Sequence, residues 1–63
     1  MAWRDIYTRG IYMYIKEHDG QTILLADIME ELNITYPTVR DRIKKLIQMG
    51  KIEKKGRKFK ILN

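Results

Sequence analysis

The chain contains no cysteine. That absence excludes a disulfide scaffold, a thiolate zinc site and a cysteine nucleophile, and it suits a reducing compartment. There is one histidine, His18, placed at the expected end of a helix where a cation is favoured by the dipole. The sequence has no HExxH helix, no glycine-rich phosphate loop and no nucleophile elbow. The eight carboxylates form no clear metal cluster, and "MEEL" reads as a solvated helix face. Neither an enzyme nor a metal or other cofactor is expected. Long apolar runs are also missing: "IYMYI" and "ILLA" fall far below the roughly 20 residues needed to span a bilayer. The N-terminus lacks a basic segment followed by an apolar stretch, so the expectation is a cytoplasmic protein with no membrane partner.

Length sets the next limit. The 63 residues leave room for one domain, and a chain this short buries only about 60% of the surface its unfolded form exposes. So little interior argues against a small-molecule pocket, and it favours stability gained by pairing with a second copy. A hydrophobic content of 44% with periodic spacing still marks a folded protein.

What the chain has in quantity is positive charge, and that charge is unevenly placed. The net charge is +5. Residues 1–35 hold three bases against six acids, a balance of −3. Residues 36–63 hold ten bases against Asp41 and Glu53, a balance of +8. A solvated lysine-rich surface alone would not separate the signs into opposite halves, whereas an anion-binding footprint would.

Periodicity and chain breakers outline the elements. Trp3, Ile6, Tyr7, Gly10, Ile11, Tyr14 and Ile15 recur at spacings of three and four, which predicts a first helix over about 3–18. Asp19 and Gly20 end it, and the β-prone run Thr22 to Leu24 predicts a brief strand. Leu25, Ile28, Met29 and Leu32 give a short second helix over about 25–32, closed by Asn33 in a left-handed conformation. Thr35 offers a hydroxyl to the free backbone donors of a third helix over about 36–48, and Pro37 fits its first turn. Val39, Ile43 and Leu46 form the inner face of that helix, and Gly50 ends it. Ile52, Phe59 and Ile61 then flank "EKKGRK", a hairpin over about 51–62 with a basic turn.

Two helices joined by about three residues have the geometry of a helix-turn-helix. At this level the sequence resembles the winged helix-turn-helix family of small bacterial and archaeal transcription regulators. The resemblance lies in "DIMEELNI" for the second helix, "TYPTVRDRIKKL" for the recognition helix, "MGKI" entering the hairpin and "GRKFKIL" returning from it. It covers about two thirds of the chain in order and without insertions. Five positions depart from the family pattern: Leu24 where a polar cap is usual, Asn33 for a glycine, Lys51 for an apolar residue, and Ile47 and Met49 for charged ones.

The resemblance implies an α+β winged helix-turn-helix domain, three helices plus an antiparallel hairpin wing, with double-stranded DNA as partner. The first part of the third helix would approach base edges in the major groove. Directions at 100° per residue put Pro37, Asp41, Lys44 and Gln48 opposite the core face, with Thr38 and Lys45 on one flank and Arg40 on the other. Tyr36, Pro37, Arg40, Asp41 and Lys44 are therefore the candidate base readers. Arg40 could pair with guanine and Asp41 with cytosine. Thr35, Thr38 and Lys45 are the candidates for phosphate. Each has a plainer alternative: Thr35 as a helix cap, Asp41 as a partner for Lys44 or Lys45, Arg40 as an ordinary helix-surface residue. Arg42 lies toward the core edge and reads as cover for the first helix. In the wing, Lys54, Lys55, Gly56, Arg57 and Lys58 form a basic tip that would lie along the backbone or in the minor groove.

The first helix is apolar nearly all round. Tyr7, Tyr12, Met13 and Ile15 are the candidates for a homodimer interface. Two other roles remain open at this stage: a protein-interaction module working through the first helix and Ile47 or Met49, and an RNA or structure-specific binder led by the wing. As an independent chain, a domain of this size would suit a compact viral or mobile-element genome.

Overall fold

The computed structural model describes residues 5–62. Three helices, α1 (Ile6–Glu17), α2 (Leu25–Leu32) and α3 (Tyr36–Gln48), precede two strands, β1 (Ile52–Lys55) and β2 (Lys58–Ile61). The strands form one antiparallel sheet. This is the winged helix architecture expected from the sequence.

Asp5 caps α1 from an extended backbone, and its carboxylate accepts the Tyr7 amide at 3.0 Å. The helix therefore starts at Ile6, not at Trp3; Trp3 itself lies outside the described residues. The buried stripe of α1 is Thr8, Ile11 and Ile15. The expected inward stripe had included Ile6 and Tyr7, but Ile6 is 74% exposed and Tyr7 is exposed beside it. Ile15, expected on the outer surface as a dimer contact, is wholly buried. With tyrosines and isoleucines on every side, hydropathy did not set the rotation of this helix; packing on α3 and β2 did. At its end, the His18 ring stacks on Tyr14 at 4.3 Å, and Nδ1–H donates to the Tyr14 carbonyl at 2.8 Å.

Among the described residues no side chain caps α2. Leu24 presents only its carbonyl, which accepts from Asp27 at 3.0 Å, and the Asp27 carboxylate stands in the positive first turn. Asn33 closes the helix at φ 55°. The Ile34 amide donates back to the Met29 carbonyl at 3.0 Å, the long-range bond of a Schellman end. α3 ends the same way, with Gly50 at φ 72° and the Lys51 amide on the Leu46 carbonyl at 3.0 Å.

Val39, Ile43 and Leu46 of α3 meet Ile11 and Ile15 of α1, Ile28 of α2, and Ile52 and Phe59 of the hairpin in one core. The expected strand at Thr22–Leu24 is reduced to a single bridge from Thr22 to Lys58, with the Ile23 amide on the Arg57 carbonyl at 2.7 Å. That contact seats the wing against the entry to α2. Asp19 adds a second tie, accepting the Ile61 amide at 3.1 Å.

Candidate nucleic-acid interface

α3 is held by its inner face, so its outer face is free to work. Tyr36, Pro37, Arg40, Asp41 and Lys44, the five residues expected to read bases, together line a shallow surface depression of about 390 Å³. Pro37, Arg40, Asp41 and Lys44 are exposed, as is Tyr36 at 46%. Gln48 is exposed further along the helix.

The charges on this face are not equivalent. Asp41 is engaged by the Arg42 guanidinium, and by Lys45 at 3.6 Å one turn on. The pairing expected along the helix thus goes to Lys45 rather than Lys44. Arg42 also grips Asp5, the cap of α1. Burial acts to raise the Asp5 carboxyl, but the Arg42 guanidinium, the Tyr7 amide and the Thr8 hydroxyl together hold it below its ordinary value. Arg42 is correspondingly more firmly protonated, first by its bond to Asp5. Its role as cover for the first helix takes the form of an ion pair that ties α3 to the start of α1.

Thr35 occupies the cap position of α3, but its hydroxyl makes no bond to the backbone there. It pairs instead with the Thr38 hydroxyl at 3.1 Å. The expected capping bond is therefore absent, and the hydroxyl is used in the side-chain pair instead. Both hydroxyls and the unbonded amides of the first turn stand at the edge of the basic face.

The wing is tighter than the basic run suggested. Gly56 and Arg57 alone connect the strands, with Gly56 at φ 63° in the first central position, as a type II′ turn demands. Of the four wing cations only Arg57 sits in the turn; Lys54, Lys55 and Lys58 are on paired strands. The register divides them. Lys54 stands opposite Phe59 and Ile52 opposite Ile61, on the face toward the helices. Lys55 stands opposite Lys58 and Glu53 opposite Lys60, on the reverse face. There Lys55 meets Glu53 at 3.3 Å, and Asp19 lies alongside. This division was readable in principle from a two-residue turn centred on Gly56 and Arg57, which fixes every pair above it.

Lys54 thereby joins Arg40 and Lys44 at the rim of a second groove, about 420 Å³, between α3 and the wing. Leu25, Ile43, Ile47 and Phe59 floor it. The sequence assigned neither Leu25 nor Ile47 to the interface; Ile47 carried a signal, as an apolar residue where charged ones are frequent in the family pattern, and Leu25 carried none beyond the apolar spacing of α2. Among the described residues, Arg40, Lys44, Lys54 and Arg57 have no carboxylate within ion-pair distance. The acids of α2 act elsewhere: burial raises the Tyr14 hydroxyl of α1, and Asp27 and Glu31 raise it further. Among the described residues no group of three or more acids and histidine could hold a metal ion, and no helix is long and apolar enough to cross a membrane.

A helix-turn-helix with a basic outer face on its second helix and a hairpin beside it defines a DNA-binding module. A model of the winged helix-turn-helix DNA-binding family matches residues 4–53, most of the chain. The chain belongs to that family, and it is a DNA-binding domain. The match ends within β1, so the wing tip and β2 rest on the structure. Comparison with curated proteins and with solved structures returned no match.

Proposed function

We propose that this protein is a sequence-specific transcription regulator that acts by occupying a promoter or operator, with α3 in the major groove and the wing on the adjacent backbone or minor groove. The observation that carries this reading is the convergence of four of the cations that have no ion pair among the described residues. Arg40 and Lys44 from α3, Lys54 from β1 and Arg57 from the turn lie on connected depressions of one side of the domain. Nothing in the core requires them there, and an uncompensated cationic surface is what a polyanion selects.

Within this arrangement Tyr36, Pro37, Arg40 and Lys44 are the base readers. Arg40 is the best suited to a bidentate contact with guanine. Asp41 reads cytosine only by exchanging its bonds to Arg42 and Lys45. Thr35, Thr38 and Lys45 face the phosphates at the flank of α3, and Lys54, Gly56 and Arg57 follow the strand toward the wing. Lys55 and Lys58, on the reverse face, reach phosphate only beyond the tip.

The working unit in this proposal is a homodimer. Ile6 and Met13, seven residues apart on one stripe of α1, are both exposed, with Tyr7 exposed to one side and Tyr12 half-buried. Two copies joined there would present two α3 helices to half-sites one helical turn apart, about 34 Å.

A gel shift with duplex DNA, single-stranded DNA and RNA at two salt concentrations tests the reading. Duplex DNA is expected to bind tightest, with selection from a random duplex pool yielding a two-fold related site. Absence of duplex binding at low salt would overturn it and turn attention to the exposed apolar residues Ile47 and Met49 as a protein-docking surface.

A further inference from the structure

The groove between α3 and β1 has a floor that phosphate binding does not need. Ile47 is 40% exposed and Leu25 is half-buried, over the buried side chains of Ile43 and Phe59. Ile43 and Phe59 belong to the core and Leu25 packs against it, but Ile47 does neither, and a groove meant only for phosphate oxygens would gain nothing from it beside Lys44 and Lys54. This groove also does not end at its own rim. It shares Tyr36, Arg40 and Lys44 with the depression on the outer face of α3, and Leu25, Lys54 and Phe59 with a smaller one that reaches Gly56 and Arg57. The three form one track from the first turn of α3 to the tip of the wing. Along it, cations line the edge and hydrocarbon lines the bottom.

A nucleic-acid strand has the complementary alternation. Each phosphate presents anionic oxygens, and each sugar between two phosphates presents C–H surface. Stacked bases fit the floor less well, because they pack on aromatic faces and among the described residues the only exposed aromatic ring on the track is Tyr36. The sugar is the better match for Leu25 and Ile47, with Lys54 taking a neighbouring phosphate.

We infer that this groove holds a deoxyribose–phosphate segment of one DNA strand and selects against ribose at that point. The side chains of Leu25, Ile43, Ile47 and Phe59 contain no hydrogen-bond donor or acceptor. A 2′-hydroxyl brought against them would leave water without finding a partner, and an unsatisfied buried hydroxyl is costly. The 2′-hydroxyl is the group by which a protein tells RNA from DNA at a given site. Here the distinction is made by an apolar surface that rejects it.

The inference rests on the reading that this face binds duplex DNA, and the test separates the two. A duplex recovered from the random-pool selection is rebuilt with a single ribonucleotide at each position of each strand in turn. Affinities are measured for the wild-type chain, Ile47→Ser and Leu25→Ser, with circular dichroism to confirm that each variant is folded. At one or two adjacent positions of one strand in each half-site, ribose is expected to weaken wild-type binding by about 5- to 150-fold, the range set by an unsatisfied hydroxyl. Ile47→Ser, at an exposed position that the core does not need, should reduce that penalty to about threefold or less, and Leu25→Ser should do the same if it folds. A penalty arising only from the altered sugar pucker would be the same in all three proteins. Duplex binding with a flat ribose scan, or with a penalty that Ile47→Ser leaves intact, overturns this inference and leaves the function reading standing. No duplex binding by the wild-type chain overturns both.

Discussion

Arg42 and Arg40 are two positions apart on α3 and have opposite fates. Arg40 is exposed and free of ion pairs among the described residues, whereas Arg42 is spent on Asp5 and Asp41. Direction around the helix separates them, and it was legible from the positions of Val39, Ile43 and Leu46, whose side chains alone are apolar in "TVRDRIKKL". The Thr35 bond was not legible, because a hydroxyl at a cap position can reach either a backbone amide or another side chain, and sequence does not choose between them. The Asp5 pair has a consequence in acid. Its carboxyl titrates below its ordinary value in the folded chain, so as acid is added the unfolded chain takes up that proton first. The stability it contributes is full above the ordinary carboxylate range and is lost as pH falls through the folded value. Asp5→Asn is expected to leave the melting temperature at pH 3 nearer its neutral-pH value than in wild type. Thermal melts across pH 3–7 check this, and an unchanged acid-side slope would contradict it.

Among the elements, α3 and α1 differ in how much the sequence disclosed. α3 has a three-residue core face in polar surroundings, so its rotation followed from spacing. α1 is apolar on most sides, and its rotation followed from what it packs against. Gly10, in the middle of α1, has room for a side chain: an added Cβ would meet a Leu32 methyl at 3.6 Å, ordinary contact. Gly10→Ala should therefore stabilise the fold by about 0.5–1 kcal/mol, read as a rise of a few degrees in Tm; a fall would mean that α1 and α2 sit closer than described. The wing was half legible. Its existence followed from Phe59 and Ile61 on either side of Lys60, but "KKGRK" is basic on both faces, and only the register tells which lysine faces α3. That register predicts unequal roles. Lys54→Ala should weaken binding to all DNA sequences alike and reduce the magnitude of the salt slope by about 1. Lys58→Ala should do so much less, while relieving the like-charge pair with Lys55 and so stabilising the hairpin by roughly 0.2–1 kcal/mol. Titrations of both variants at several salt concentrations decide between this assignment and an evenly basic wing.

For the whole molecule, the separation of charge seen along the sequence becomes a separation in space, with four cations that have no ion pair among the described residues on one track and the α2 acids beside α1. Each phosphate neutralised adds about −0.9 to the slope of log affinity against log salt. With Lys45, Lys54 and Arg57 of each chain on phosphate, a dimer should thus show a slope near −5 and lose roughly 10³ in affinity between 50 and 200 mM salt, against about 40-fold for one chain alone. The slope, measured beside the solution mass of the complex, tests the proposed dimer. Whether the outer face of α3 reads base edges is tested most directly by Arg40→Ala measured on two duplexes, the selected site and a random sequence of equal length. A loss of about 1 to 3 kcal/mol is expected on the selected site, with little change on the random one. Equal losses on both would contradict base reading and reduce Arg40 to a backbone contact.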